Sequence, residues 1–448
     1  MSERDDFYRL RDKRTNEYLP GLTVEPRPVY VSVDLSASRC RAGQVTVLAL
    51  VNQLARAHRV IAVDLPQGNF PLVAKTGGGE QDFTSAVLST MHAADPYGDF
   101  TISSSRPVRS LSIGVGSEAD HGCDWYIGAR NSIAQLGREP LEVLDSTGTV
   151  RGAALASCLG AAAIFRTQLN LTTVPRVLSC WSYREGEQAA EGPSHLDILD
   201  VGRVLMIGAG AVGGSLAYWL REFGVSGSWV IVDKDKPDVT NLNRTILFTA
   251  IDAGWPNTEA KFKAKIAASA IQVAAPRCEW YEEYSRASQD EFDVVLCLAN
   301  EFNVREEIAC RNFSVLLHAT TGENWLSQLH RHIPGRDDCI FCRVGKVRPP
   351  QFGCSTVPVE SHSETASGDA ALPFLSAASG LMLATLLQRL HAGEIIADEC
   401  NDWRWDFGSD YKMATYGQRK CGHICTRVSP IEIRRQLHVG GRWKSLES

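Results

Sequence analysis

An apolar strand followed by a glycine turn, VLMIGAGAVGG, constrains the fold of this chain more than any other segment. Gly208, Gly210 and Gly213 have GxGxxG spacing, in which glycine permits a tight turn and lets backbone N–H groups approach phosphate at a helix N-terminus. Twenty residues after Gly213 the next apolar run ends in Asp233, whose carboxylate can accept hydrogen bonds from ribose hydroxyls. The pattern predicts a nucleotide site. A glycine turn that serves helix packing alone is the alternative.

Alternating strand and helix patterns before and after this turn predict an α/β fold with two Rossmann-like halves. In the first half, buried strand patterns at 29–35 and 59–65 flank a helical pattern at 44–57. The chain has 448 residues, which is more than one hydrophobic core usually organises. We place an N-terminal α/β domain at 1–185 and a nucleotide-binding domain at 186–448, where the polar stretch REGEQAAEGPS suits a connection.

The residues after Asp233 narrow the kind of nucleotide chemistry. The segment VDKDKPDVTNLNR contains a second carboxylate, Asp235, followed by Asn241 and Arg244, which is not a dehydrogenase pattern. The segment resembles the adenylation domain of ubiquitin-like-protein activating enzymes and of the related ThiF/MoeB/HesA-type bacterial activators of sulfur carriers. That family has GxGxxG, a strand with DxD, a nearby (S/T)NLxR, a helix with KA, and an Asp before a further helix. The resemblance covers about 201–425.

The resemblance implies that the site binds ATP with Mg²⁺, and it gives several residues a role. Asp233 would bind the ribose, while Asn241 and Arg244 would contact the triphosphate. Lys263, in KAKIAASAIQ, would neutralise phosphate charge, which suits a reaction in which negative charge builds on the leaving pyrophosphate. Other lysines lie close by, so a solvated helix face is the alternative.

One position departs from the family pattern. Where the family has an aspartate that helps bind magnesium, this chain has Asn300, followed by Glu301. An amide oxygen is neutral and is a weaker magnesium ligand than a carboxylate. Either Glu301 takes the place of the aspartate, or the metal relies on the nucleotide and Asp235.

Two close pairs of cysteines flank the longest apolar segment. Cys339 and Cys342 form CIFC, and Cys421 and Cys425 form CGHIC. Four thiolates can hold a structural Zn²⁺ in a closed tetrahedral site, and members of the family carry a zinc knuckle of this layout, usually with CxxC in the second pair. The alternatives are four reduced cysteines without a metal, or His423 in place of one cysteine.

A segment at 343–369, rich in Ser, Thr, Pro and Gly, has no clear periodicity and is predicted to be a functional crossover loop. It contains Cys354. In several members of the family a cysteine at this place accepts the activated acyl group. Attack requires a thiolate in a polar, exposed setting, to which Ser355, Thr356 and His362 contribute. The alternative is that Cys354 packs under the crossover loop.

The first half has a candidate second glycine turn. Gly114, Gly116 and Ala119 follow an apolar strand with a spacing that echoes GxGxxA, and no NLxR follows. Two-domain members of the family pair an active half with an inactive copy, and single-domain members pair as homodimers, so we interpret this half as an inactive copy. An unrelated partner-binding module is the alternative, and a homodimer stays open. Candidates for an arginine that reaches across to the ATP are Arg106, Arg109 and Arg130.

Charge and hydropathy argue against three other classes of protein: nucleic-acid binders, secreted proteins and membrane proteins. A formal charge of −6 and a pI near 6.0 argue against a nucleic-acid binder. The charged start, MSERDDFYRLRDKR, lacks the apolar core of a secretory signal, so we expect a cytoplasmic protein. The apolar stretch at 370–387 is broken by proline, serine and glycine, which predicts a buried core helix and no membrane partner.

These observations predict ATP-dependent activation of a ubiquitin-like protein. The enzyme would adenylate the C-terminal Gly carboxylate, transfer the acyl group to Cys354 as a thioester and deliver it to a conjugating enzyme. The extended first half resembles the activating enzymes of bacterial ubiquitin-like conjugation operons linked to phage defence. A sulfur-carrier-protein adenylyltransferase of cofactor biosynthesis shares every motif and is the alternative. An NAD-dependent oxidoreductase and a pseudoenzyme scaffold, the latter suggested by Asn300, are more distant ones.

Overall fold

Two mostly parallel β-sheets, one in each half of the chain, organise the residues that the structure describes. This computed structural model describes residues 2–18, 26–75, 79–144, 148–194, 199–272, 277–284, 292–311, 313–322, 325–333, 336–344, 372–394, 400–408 and 413–417. Helices cover both sheets, so the predicted α/β fold class is confirmed.

The first half starts with two short helices and continues into the first sheet. Helix α1 is fixed by a capping box, in which the side chains of Ser2 and Asp5 each accept the other residue's backbone N–H. The elements are α1 (Glu3–Arg11), α2 (Lys13–Tyr18), β1 (Val29–Val33), α3 (Leu35–Arg39), α4 (Arg41–Ala55), β2 (Val60–Asp64), α5 (Phe83–Ala94), β3 (Asp99–Ile102), β4 (Leu111–Val115), β5 (Trp125–Arg130), β6 (Ile133–Gly137), β7 (Val143–Leu144), α6 (Arg151–Gln168), β8 (Arg176–Ser179) and β9 (Arg184–Glu185).

The second half contains the second sheet and the glycine turn. Its longest described helix, α11, begins at Pro373, a residue suited to the first helical turn because the N–H that it lacks has no partner there. The elements are β10 (Arg203–Ile207), α7 (Ala211–Phe223), β11 (Ser228–Val232), α8 (Lys263–Gln272), β12 (Arg277–Tyr281), β13 (Val294–Cys297), α9 (Phe302–Cys310), β14 (Leu316–Gly322), β15 (Leu326–His332), α10 (Ile340–Val344), α11 (Pro373–His391), β16 (Cys400–Asp406) and β17 (Met413–Gly417).

The two sheets repeat the same strand order. The first runs β3-β2-β1-β4-β5-β6-β8-β9, with β7 beside β5, and the second runs β12-β11-β10-β13-β14-β15-β16-β17. In each sheet the first five strands are parallel and the last three are added antiparallel. Strand β1 of the first half therefore holds the same central position as β10, which precedes the glycine turn.

One hydrophobic cluster extends through both halves. Helices α4 and α6 of the first half pack together, and α6 also packs on α11, which packs on α7. Two buried hydrogen bonds accompany this packing, from Trp219 Nε1 to the carbonyl of Ala377 at 2.8 Å and from the Tyr183 hydroxyl to the carbonyl of Met382 at 2.8 Å. A smaller cluster on the opposite face of the second sheet packs against α9.

The structure corrects the interpretation of the Gly114–Ala119 segment as a second glycine turn. These residues follow β4, which is the neighbour of the central strand β1, and the chain continues into strand β5 without an intervening helix. The turn therefore does not open a helix N-terminus, and its resemblance to GxGxxA is a coincidence of small residues after an apolar strand. The predicted buried helix at 370–387 corresponds to α11. None of the helices in the described ranges has the length and apolarity needed to cross a membrane.

Candidate functional site

The three glycines of the turn after β10 have different surroundings. Gly208 has φ +97°, and a Cβ there would lie 2.7 Å from the backbone nitrogen of Ala299. A Cβ on Gly213 would lie 2.3 Å from the carbonyl oxygen of Gly208, so both positions require glycine for the fold. Gly210 is the N-cap of α7 without a side-chain cap, and a Cβ there would meet nothing within 4 Å. The N-terminus of α7 is therefore open at Gly210, where an anion can approach.

Asp233 connects the glycine turn to the neighbouring strand. Its Oδ2 accepts the backbone N–H of Ala209 at 2.7 Å, and its Oδ1 accepts that of Asp235 at 2.9 Å. Burial raises the pKa of Asp233, although Lys263 and these two N–H groups act in the opposite direction. Each carboxylate oxygen can accept a further hydrogen bond, so the side chain keeps capacity for ribose hydroxyls.

Lys263 and Asp235 form an ion pair beside Asp233. The Nζ of Lys263 lies 3.2 Å from Oδ2 of Asp235, and the Lys263 N–H donates to the Asp235 carbonyl at 2.9 Å. The side chain of Lys263 is 2 % exposed and that of Asp235 is 28 % exposed. Lys261, by contrast, pairs with Asp252 and is 51 % exposed. Of these two lysines, only Lys263 is buried beside the predicted nucleotide residues.

Asn241 and Arg244 lie in a buried turn after β11. Asn241 is 4 % exposed and Arg244 is 8 % exposed. The Asn241 amide donates to Oδ1 of Asp238 at 2.9 Å, and the Arg244 N–H donates to the Asn241 carbonyl at 3.3 Å. The amide of Asn241 is thus engaged by Asp238, and the contacts of both residues to a triphosphate stay predictions.

Helix α4 of the first half stabilises the turn that contains Asn241 and Arg244. Arg56 donates from Nη1 to the carbonyl of Leu242 at 2.7 Å and from Nη2 to that of Phe248 at 3.0 Å. Asn52 holds the guanidinium in place at 2.9 Å and donates to the carbonyl of Ile246. Arg56 is fully buried and its pKa is lowered to about 9 by burial. The segment that contains Arg244 is therefore braced by a buried arginine of the other half.

The three arginines predicted as candidates for reaching the ATP have described contacts with the first half or with the segment that follows it. Arg106 donates to Ser112 Oγ at 2.7 Å, and Arg130 pairs with Glu191 at 2.6 Å. The carbonyl of Arg109 accepts a hydrogen bond from Arg27. The described contacts with the Asn241 turn come instead from α1, α2 and Arg56.

Asp34 fills the corresponding place in the first half. It follows β1 as Gly208 follows β10, and its Oδ1 accepts the N–H of Ala37 at 2.7 Å. Its Oδ2 accepts the N–H of Glu118 at 3.2 Å, and a Cβ on Gly116 would lie 2.1 Å from Asp34 Cγ. A carboxylate of the protein itself thus caps the five-residue helix α3, whereas the N-cap of α7, Gly210, has no side-chain cap. This place in the first half is closed to an anionic nucleotide.

Oxygen ligands for a magnesium ion lie at the ends of the strands that flank β10. Asp235 follows β11, and Asn300 follows β13 and is exposed. Glu301 is the N-cap of α9, but its side chain makes no capping hydrogen bond. Within the described ranges, no three His, Cys, Asp or Glu side chains group as a metal site. One or two oxygen ligands completed by substrate phosphates are a common magnesium arrangement, so these residues fit an ion that arrives with ATP.

The predicted zinc knuckle has one of its two cysteine pairs in the described part of the chain. The Sγ atoms of Cys339 and Cys342 are 3.7 Å apart, an arrangement that also suits a weak S–H···S hydrogen bond. Two thiolates bound about 2.3 Å from one tetrahedral zinc lie about 3.8 Å apart, so this pair fits the ion. Cys421, Cys425 and the predicted nucleophile Cys354 lie outside the described residues.

Sequence reasoning missed His318, which lies on β14 beside Cys297 of β13. Its side chain is 1 % exposed, and within the described part of the chain neither ring nitrogen has a hydrogen-bond partner. Burial holds the pKa of His318 well below its ordinary value, so the imidazole is neutral. A lone histidine within an apolar strand gave no signal, because only the sheet brings it near the carboxyl end of β13.

The chain is similar in sequence to several known proteins. Residues 187–401 match the ThiF family. The chain is 28% identical over 279 residues to the uncharacterised protein y4jF of Sinorhizobium fredii, covering 61% of this chain and 51% of that protein. It is 34% identical over 110 residues to the NEDD8-activating enzyme E1 catalytic subunit of Arabidopsis thaliana, covering 24% of this chain and 21% of that protein. It is 29% identical over 161 residues to the sulfur carrier protein ThiS adenylyltransferase of Escherichia coli, covering 35% of this chain and 64% of that protein.

These alignments span about half or less of the first two relatives. Among solved structures, Escherichia coli MccB is similar with a TM-score of 0.38 and 15% identity, covering 67% of this chain and 97% of that one, which is too low to support an inference. The family match spans β10 to the start of β16, and so includes the glycine turn, Asp233, the Asn241 turn and Lys263. Residues 187–401 are therefore a ThiF family domain, and for this domain the predicted membership of the superfamily of ubiquitin-like-protein activating enzymes is confirmed.

Proposed function

We propose that this protein is an adenylyltransferase that uses ATP to activate the C-terminal carboxylate of a ubiquitin-like or sulfur-carrier protein. One observation carries the proposal. At the carboxyl ends of β10 and β11, the open N-terminus of α7 at Gly210 lies at the same sheet edge as a buried lysine, Lys263, and the carboxylate of Asp233. An anion site, a cation and a ribose acceptor are features that suit the binding of ATP and the stabilisation of its leaving group.

The reaction would begin with the carrier carboxylate attacking the α-phosphorus of ATP. A bond forms between the carboxylate oxygen and phosphorus, and the bond to the bridging oxygen of pyrophosphate breaks, which leaves an acyl adenylate. Gly210 would let the phosphates approach the N–H groups of α7, Asp233 would hold the ribose, and Lys263 would offset charge on the leaving group. Mg²⁺, held by Asp235 with Asn300 or Glu301, would supply further positive charge when bound.

The finer proposal is that the carrier is ubiquitin-like and that Cys354 receives the acyl group before a conjugating enzyme does. It is supported by similarity to relatives named NEDD8-activating and SUMO-activating enzymes. The repeated strand order, with Asp34 closing the nucleotide place of the first half, supports an inactive first half that braces the active one. The same proposal includes a structural zinc bound at Cys339 and Cys342, and a role in a bacterial defence operon. Both of these points rest on the sequence.

A sulfur-carrier activator is the second candidate. It is favoured by the similarity to the ThiS adenylyltransferase, 64% of whose length aligns with this chain. Both candidates share the adenylation step and differ in the fate of the adenylate. A sulfur-carrier activator would pass the adenylate to a sulfur donor, whereas a conjugation enzyme would form a thioester on its own cysteine.

ATP–pyrophosphate exchange tests the shared step. Purified protein with Mg²⁺ and a small Gly-ending carrier should incorporate labelled pyrophosphate into ATP, and removal of the terminal Gly should abolish the exchange. Lys263→Met should lower the exchange, while Lys261→Met, a change at an exposed lysine on the same segment, should leave it nearly intact. Exchange that is absent with both types of carrier, or carrier-independent binding of NADH, would contradict adenylation.

Trapping of the carrier on the enzyme tests the finer step. With ATP present, wild-type protein should form an adduct that a thiol reductant releases, and Cys354→Ala should not form it. Cys310→Ala serves as the matched control, because Cys310 is an exposed cysteine at the end of α9. An adduct that survives in Cys354→Ala would refute the thioester at that residue while leaving adenylation intact.

A further inference from the structure

A second polar pocket lies where the N-terminus of α6 meets the C-terminal ends of α7 and α11. Its cavity volume is about 80 Å³, in the measure in which one water molecule needs about 10–15 Å³, so the pocket has room for a small anion. Both halves contribute to its wall. The lining residues are Arg41, Gly148, Thr149, Val150, Arg151, Ser194, Phe223 and Gln388.

Arg151 is a buried cation with unused hydrogen-bond donors. Its side chain is 1 % exposed, and its Nη2 donates to Asn131 Oδ1 at 3.2 Å and to the carbonyl of Pro193. Its Nε and Nη1 have no hydrogen-bond partner within the described ranges. The guanidinium also stacks on Trp181, 4.6 Å from the ring centre. Burying a charged group with unmet hydrogen bonds is costly, so an anion in this pocket would be stabilised.

The N-terminus of α6 adds a second positive feature at the same place. The helix has 18 residues, and its N-cap, Val150, provides no side-chain hydrogen bond to the first turn, in which the N–H of Gly152 donates to the carbonyl of Asn131 at 2.7 Å. The N–H groups of a first helical turn carry partial positive charge, which makes the added charge of Arg151 unfavourable there unless an anion is present. Two independent positive features thus converge on one pocket.

Among the described residues that line the pocket, none is acidic. The nearby carboxylate of Glu222 is bonded to Arg41 at 2.8 Å and to the N–H of Lys75. Glu394 lies 3.6 Å from Arg389. Burial lowers the pKa of Arg151, although Cys180 and Glu394 act in the opposite direction, so Glu394 offsets only part of the cost of burying this cation.

Gln388 of α11 completes the polar wall from the second half. It is 8 % exposed, and its Oε1 has no hydrogen-bond partner in the described part of the chain. A side-chain amide has both donors and an acceptor, so it can turn its NH₂ group toward an anion. Thr149, whose hydroxyl is a further possible donor, also lines the pocket.

We propose that this pocket binds a small oxyanion of the phosphate class, held by Arg151, the N-terminus of α6 and Gln388. The site is separate from the glycine turn and does not depend on the adenylation proposal. Because α6 belongs to the first half and α11 to the second, the bound anion would bridge the two halves at their helical contact.

Isothermal titration calorimetry with inorganic phosphate tests the site, at fixed ionic strength and with chloride as the reference anion. The full chain should bind one phosphate at this pocket, and acetate should bind at least about tenfold more weakly, since a monoanion with two oxygens satisfies fewer donors. Arg151→Gln should weaken phosphate binding at least tenfold. Arg277→Gln, a change at an exposed arginine on edge strand β12, should leave it unchanged.

Gln388→Glu provides a second variant that does not remove the buried cation. Its carboxylate would pair with Arg151, so the variant should unfold at a higher temperature than the wild type without phosphate and should no longer respond to phosphate. The wild type should instead show a saturable rise of about 2 °C in its unfolding midpoint. Phosphate binding that persists unchanged in both variants would overturn the proposal, as would equal affinity for acetate or a response that does not saturate.

Discussion

Replacing Gly210 with alanine should separate nucleotide binding from folding. At Gly210 an added Cβ meets no atom within 4 Å, whereas at Gly208 it would lie 2.7 Å from the backbone nitrogen of Ala299. Gly208 also has φ +97°, a conformation that L-residues rarely adopt. The same substitution two residues apart therefore probes the ligand approach at one position and the fold at the other.

The expected magnitudes differ clearly. For Gly208→Ala, the left-handed backbone costs about 1–2 kcal/mol and the backbone clash adds about 1–3 kcal/mol, so stability should fall by about 3 kcal/mol. For Gly210→Ala, the lower entropy of the unfolded chain acts in the favourable direction, and stability should change by less than about 1 kcal/mol. The new methyl group would occupy the path of the phosphates, and ATP should bind at least about tenfold more weakly, or about 1.4 kcal/mol.

Two measurements on each variant decide the outcome. Urea denaturation followed by circular dichroism gives the free energy of unfolding, and calorimetric titration with ATP and Mg²⁺ gives the dissociation constant. If Gly210→Ala binds ATP as tightly as the wild type, the phosphates do not approach this turn and the nucleotide site is wrongly assigned. If it is as unstable as Gly208→Ala, the reasoning from the Cβ surroundings fails.

Three further predictions concern other parts of the chain. Lys263→Met should slow adenylation about 100-fold, because a cation at the leaving group is lost, while Lys261→Met should change the rate little in the same exchange assay. Arg56→Met should lose about 3 kcal/mol in urea denaturation, since two buried carbonyls lose their donor, and should also weaken ATP binding; an unchanged ATP affinity would show that the brace is not needed for the site. Burial lowers the pKa of His58 to about 4 from an ordinary 6.5, so its contribution to stability is present above pH 6.5 and is lost as pH falls toward 4. Between pH 7 and pH 5 that loss is about 2 kcal/mol, and His58→Asn, which keeps a donor for the carbonyl of Arg27, should flatten the pH dependence in denaturation measured at both values.

The elements around the nucleotide site were predictable from the sequence because their signals are local. After Arg203, strand β10 is an apolar run buried in the sheet, and the glycine spacing directly after it marks the start of α7. Asp233 comes at the end of the next apolar run, and the family pattern selected Lys263 from among its neighbours. These predictions needed only windows of a few residues and one resemblance.

The remaining features depend on contacts between distant parts of the chain. Arg56 reaches a carbonyl 186 residues away, and Arg151 and Gln388, which line the same pocket, come from different halves. In the sequence, Asp34 looks like an ordinary helix cap. Its correspondence to Gly208 becomes visible only when the strand orders of the two sheets are compared. The prediction of a glycine turn at Gly114–Ala119 was wrong because it used local spacing alone. A phosphate-binding turn must be followed by a helix, and the described residues between β4 and β5 form none.

The continuous hydrophobic cluster beneath α4, α6, α7 and α11 has a consequence for how this chain can be divided. A cut at the connector near residue 190 would leave each fragment with a large apolar flank that its former neighbour had shielded, and such flanks promote aggregation. Separately produced fragments should therefore precipitate, whereas co-expressed fragments should reassemble into a non-covalent pair. In the intact chain, heating should give a single calorimetric transition, since neither sheet keeps a complete core once the other has melted.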